Sequence, residues 1–98
     1  MNIEFEWDDD KNAANIRKHG IAFEDAQYVF QDPVHTIMFD WDHSSVHEER
    51  WKAYGFVGRV LTVIFTEKDK VTRIISARKA SPAEQEEYYY GYGSCNYE

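Results

Sequence analysis

The sequence predicts an α+β domain in which helices pack against an antiparallel sheet, in the order βααββββα. Three observations predict it. Two helix-like segments, the first bounded by cap residues and the second with apolar residues at helical spacing, fill the first third of the chain. Four runs rich in β-branched and aromatic residues then follow between Val34 and Ala77, separated by polar turn residues. A helix-start signature, Ser81-Pro82-Ala83-Glu84, comes last.

Taken in order, Ile3, Phe5 and Trp7 alternate with polar neighbours and form a short strand. Asp8 is an N-cap for a helix running to about His19, and Gly20 is a natural residue to end it. A second helix is expected from Phe23 to Gln31, because Phe23, Ala26 and Phe30 share one face, and Asp32-Pro33 stops it. Strands are expected over Val34 to Trp41, Trp51 to Val57, Val60 to Thr66 and Val71 to Ala77. The third of these is almost wholly apolar, as a central strand buried on both faces requires. Asp42 to His47 reads as a loop, Gly58-Arg59 as a turn, and Lys68-Asp69-Lys70 as a hairpin turn. In the closing helix Ser81 caps, Pro82 takes the first helical position and Glu84 completes a capping box; the helix ends near Tyr90.

With 98 residues, the chain is expected to form one domain over 1–90 with a flexible tail over 91–98. A hydrophobic fraction of 43% and an aromatic fraction of 16% are those of a folded globule rather than a disordered chain. The first residues lack the basic and apolar regions of a secretory leader, and no apolar run reaches the roughly 18 residues of a membrane helix. Cys95 is the single cysteine, so an internal disulfide is excluded; these features together point to the cytoplasm. The net charge of −7 argues against nonspecific binding of nucleic acid over the whole surface. Arg73, Arg78 and Lys79 nevertheless lie close together with no acid between them, which leaves room for a local basic site.

Three segments resemble one known family. Phe5-Glu6-Trp7-Asp8, Lys11, Ala14-Asn15, Arg17-Lys18-His19-Gly20 and Phe23-Glu24-Asp25-Ala26 look like the opening of the BrnT toxins of type II toxin–antitoxin systems. Asp40, Asp42-His43-Ser44 and Glu48-Glu49-Arg50 look like the family's middle segment. The run from Arg73 to Ala80, followed by Glu84 and Tyr88, looks like its closing segment. The resemblance spans about Phe5 to Tyr88. It departs from the family at Ala22, where a Ser-type cap is usual, and in the tail after Gly91, which has no counterpart. It implies a RelE-like fold and a ribonuclease that cleaves RNA without a metal or other cofactor and arrests growth. It also implies a neutralising antitoxin, BrnA-like and of ribbon-helix-helix type, and operator DNA contacted only through that antitoxin.

Cutting RNA without a metal needs a base for the 2′-hydroxyl, cations for the scissile phosphate and an acid for the leaving oxygen. Arg50, Arg73, Arg78 and Lys79 are the candidate cations, and Arg suits phosphate because its planar fork binds two oxygens. Salt-bridged strand residues are the plainer role for Arg50 and Arg73, with Glu48 and Glu49 as obvious partners. His19 and Glu49 are rival general bases. Lys18, Lys52 and Tyr88 are candidate RNA-binding residues, although Lys18 and His19 also serve as ordinary cations at a helix C-terminus and Tyr88 as core. Asp40, Asp42, His43, His47 and Glu48 form a cluster weighed as a metal site; a solvated acidic loop is the reading preferred, and no metal is assigned. Two alternatives to a nuclease stand beside it: a catalytically inactive corepressor of the same fold, and a metal-dependent hydrolase built on this Asp/His loop.

Overall fold

A computed structural model of the chain describes residues 3–91. Among these, β1 (Glu4–Glu6), α1 (Asp9–His19) and α2 (Phe23–Ala26) come first. The strands β2 (Thr36–Phe39), β3 (Trp51–Phe56), β4 (Val60–Lys68) and β5 (Val71–Lys79) follow, and α3 (Pro82–Glu86) comes last. The strands form one sheet of order β1-β5-β4-β3-β2. The expected α+β class and element order are present. The sheet is mixed, however, not wholly antiparallel: β1 runs parallel to β5, while the other three pairings are antiparallel. Local hairpins account for those three. The β1–β5 pairing joins the first strand to the last, and no local pattern encodes it.

Helix α1 starts and stops as its sequence demands. The Asp8 carboxylate accepts the Lys11 amide at 3.1 Å, and Gly20 at φ 73° donates its own amide to the Ile16 carbonyl. The second helix is shorter than expected. Only α2 is α-helical, and Gln27–Gln31 tightens into a 3₁₀ turn. Ala22 has no side chain with which to cap it. Asn12 supplies the cap from α1, its Oδ1 accepting the Phe23 amide at 2.8 Å and its Nδ2 donating to Glu24. The final helix likewise widens after Glu86 into a π turn over Glu87–Gly91. Of the expected flexible tail, Gly91 belongs to that turn, and 92–98 lie outside the described residues.

Strand β4 is the middle of the sheet, and Val60 to Thr66 are all buried. Its alternation defines two faces. Leu61, Val63 and Phe65 pack with Ala53, Ile74 and Ala77 beneath Ile21, Phe23, Ala26 and Val29 of the helical layer. Asn15 locks that layer to β5: its Nδ2 donates to the Ile21 and Ala77 carbonyls, and its Oδ1 accepts the Ala77 amide. Every polar atom of this buried side chain is thereby used, as a dry interface requires. On the far face, Tyr54, Val60, Ala80 and Tyr88 form a smaller core under α3. This second core covers only one end of the far face.

Candidate active site

The far face carries four of the candidate cations. In the strand register Lys52 lies opposite Ile64, Arg78 opposite Thr62 and Arg73 opposite Thr66, all on the side away from Val63 and Phe65. Arg50, one residue before β3, continues the same alternation; its carbonyl accepts the Asp40 amide at 2.9 Å. A β-bulge between Ile64 and Phe65 resets the phase of β5, so that Arg73 and Arg78, five residues apart, share a face. Lys79 lies opposite Leu61, on the other side, and is exposed at the strand end. His19 and Lys18 end α1 in the helical layer, behind the sheet from these arginines. The structure therefore puts Arg50, Lys52, Arg73 and Arg78 on one face of the sheet and keeps Lys79, Lys18 and His19 off it.

Each arginine on this face meets a carboxylate. Arg50 pairs with Glu48 at 2.9 Å and Arg73 with Glu6 at 3.1 Å; the second pair is exposed on both sides, while Arg50 is half-buried and only Glu48 is exposed in the first. A surface pair such as Arg73–Glu6 is worth less than about 1 kcal/mol. Arg78 is held differently. Its Nη1 and Nη2 donate to the two oxygens of Glu84 at 2.6 and 2.8 Å, and Lys52 Nζ stands 3.9 Å from the same carboxylate. The Thr62 hydroxyl and the Ser81 amide also donate to Glu84. Burial by itself pushes the Glu84 carboxyl up, but these hydrogen bonds outweigh it and hold it down at about 2. The Glu84 hydrogen bond in turn raises Arg78 above its ordinary value. The sequence marks Glu84 as a helix cap, and it is one; its second role as the anchor of Arg78 was not legible there.

Tyr88 is buried, and its hydroxyl donates to Asp32. Burial and then the Asp32 bond push its phenol up to about 12, so it stays protonated. Asp32 also accepts the Phe56 and Val34 amides, which makes it a clasp between the turn before β2, the end of β3 and the last helix. Tyr54, wholly buried, donates to Glu87 at 2.9 Å. Glu49 is exposed and lines an open cleft of about 300 Å³ with His47, Trp51 and Lys68.

The loop from Asp40 to Arg50 is more ordered than a solvated acidic loop. The Arg50 amide donates to Ser44 Oγ at 2.8 Å, and that hydroxyl donates back to the Arg50 carbonyl. The Ser45 hydroxyl accepts the His47 and Glu48 amides. Asp40 is 2% exposed and bonds His43 Nδ1 at 2.8 Å. Trp41, beside it, is 82% exposed and rests edge-on against Phe39. Among the described residues no group of three His, Cys, Asp or Glu side chains is arranged to hold a metal ion.

The model of the ribonuclease toxin BrnT of type II toxin–antitoxin systems matches residues 7–84. The chain belongs to this family. It is similar to the crystal structure of the Brucella abortus ribonuclease toxin BrnT, with 25% identity and a TM-score of 0.62, over 82% of this chain and 99% of that one. No curated protein matches it. The match ends at Glu84, so it contains all four far-face cations, the Asp40–Arg50 loop and the Arg78 anchor. As a member of a type II toxin family, the chain has an antitoxin as its implied partner. No helix among the described residues is long and apolar enough to cross a membrane.

Proposed function

We propose that this BrnT-family chain is an endoribonuclease that cleaves RNA on the far face of its sheet, without a metal ion, and arrests growth. The observation that carries the reading is that Arg50, Lys52, Arg73 and Arg78 share one incompletely covered face of an otherwise acidic protein. Arg78 is fixed in place by Glu84, which also offsets much of its charge. Arg50 and Arg73 each hold a single carboxylate with a solvent-exposed side chain, Glu48 and Glu6, which a phosphate can displace. Lys52 lies between them and adds a compact charge that tracks the RNA backbone. A cognate antitoxin, BrnA-like and of ribbon-helix-helix type, neutralises the toxin by covering this face with an acidic or amphipathic segment. Operator DNA is then read by the antitoxin alone.

The test is cleavage of RNA by purified protein in EDTA, together with growth after expression without the partner. Preorganised donors to a developing phosphate charge are worth roughly 3–4 kcal/mol each. Arg50→Ala or Arg73→Ala is therefore expected to slow cleavage by about two to three orders of magnitude while the thermal melt stays near wild type. Full activity in both variants refutes the placement of the site. Activity lost in EDTA favours the metal-dependent hydrolase, and no cutting by wild type favours the inactive corepressor.

A further inference from the structure

We propose that His43, oriented by Asp40, is the general base of this site. The inference rests on the nuclease reading above and adds to it the group that moves the proton.

Asp40 follows β2 directly. Its amide bonds the Arg50 carbonyl, and the strand alternation turns its side chain to the far face. Its charge reaches Arg78, which places the carboxylate among the far-face cations. At 2% exposure an aspartate is retained only when it is well partnered, and its partner here is His43 Nδ1 at 2.8 Å. The His43 side chain is 58% exposed, and no described residue bonds its Nε2. A carboxylate on Nδ1 sets the tautomer that carries its proton there, which leaves the lone pair on Nε2. The neighbouring Ser44 is clamped in both directions to the Arg50 backbone, so the imidazole and the Arg50 guanidinium are carried by one rigid piece of chain.

The other two candidate bases are less well placed. His19 sits in the helical layer behind the sheet, and Glu49 points into the open cleft beside His47 with no group that orients it. In the proposed step, His43 Nε2 takes the proton of a ribose 2′-hydroxyl. The 2′-oxygen forms a bond to phosphorus, and the bond from phosphorus to the 5′-oxygen breaks with its electron pair staying on that oxygen, which takes a proton from water; the hydroxide left behind takes the proton from the His43 imidazolium and restores the neutral base. The products are a 2′,3′-cyclic phosphate and a free 5′-hydroxyl. The buried Asp40 carboxylate stabilises the imidazolium that forms, and is a positioning residue rather than a reacting one.

The experiment measures cleavage of a short RNA in EDTA by the full chain and by His43→Ala, His43→Gln and Asp40→Asn, each checked by thermal melt. General-base loss is expected to slow His43→Ala and His43→Gln roughly 100- to 10,000-fold. Added imidazole should restore part of the His43→Ala activity and none in His43→Gln, whose side chain still fills the space. Asp40→Asn should lower kcat with little change in KM, because substrate is held by the cations. If wild type cleaves and His43→Ala cleaves within a few-fold of it, the base is elsewhere and the nuclease reading stands. If the loss in His43→Ala is untouched by imidazole, His43 has only a structural role and the proposal fails. If wild type does not cleave RNA at all, both readings fall.

Discussion

Glu84→Gln tests the anchor under the far face. The substitution keeps the shape of the side chain and one acceptor oxygen but removes the charge that Arg78, Thr62 and the Ser81 amide converge on. In the folded chain the Glu84 carboxyl is held at about 2 against an ordinary 4.5. At about 1.4 kcal/mol per pH unit, that gap corresponds to about 3 kcal/mol of folding stability. The Arg78 side chain is 33% exposed, so solvent screens part of the pair, and about 2 kcal/mol is the expected loss at pH 7. For a domain of this size such a loss lowers Tm by roughly 10 °C. The sign of the pH dependence follows from the direction of the shift. A carboxyl whose folded pKa is depressed stabilises fully above its unfolded value, and the contribution fades as pH falls through the folded one. The difference between wild type and Glu84→Gln, read from urea melts, should therefore be complete above about pH 5 and shrink steadily between pH 4.5 and 2. A difference of the same size at pH 7 and pH 2.5, or none at pH 7, refutes the assignment of Glu84 as a charged anchor.

Two further predictions concern the scaffold. A Cβ on Gly55 would lie 2.7 Å from both Cγ1 and the carbonyl oxygen of Val29, so Gly55→Ala must push the 3₁₀ turn off β3; a loss of about 1–3 kcal/mol is expected in a denaturant melt, and an unchanged midpoint contradicts that packing. Asp69 and Lys70 close the β4–β5 hairpin with φ of 55° and 68°, a left-handed conformation that costs a side-chain-bearing residue about 1 kcal/mol or more. Lys70→Gly should therefore raise stability by up to about 1 kcal/mol, and a lower midpoint shows that the turn is held by something other than its backbone angles.

Much of the local architecture is written in short stretches of sequence. The caps at Asp8 and Gly20, the capping box of Ser81 and Glu84, the stop at Asp32-Pro33 and the buried run of β4 depend on interactions within a few residues, so reading them needs only the chain's own neighbours. The second helix exceeded that reach. Its missing cap at Ala22 was visible, but the replacement by Asn12, eleven residues before Phe23, was not. The cations illustrate the same boundary. Their residue types and the resemblance of their segments singled them out in the sequence. Whether they meet depended on the strand register and on one bulge, since a shift of a single residue sends a side chain to the opposite face. The partners of Arg73 and Arg78 were also beyond local reading. Glu6 is 67 residues from Arg73 and meets it only because the first strand joins the last in parallel; Glu84 reaches Arg78 only because α3 folds back over the sheet. Asp40 and His43 show the difference most directly. Three residues apart in a polar stretch, they read as solvated. Burial decided otherwise, because a carboxylate withdrawn from water must hold a donor, and Asp40 holds the Nδ1 of a half-exposed His43.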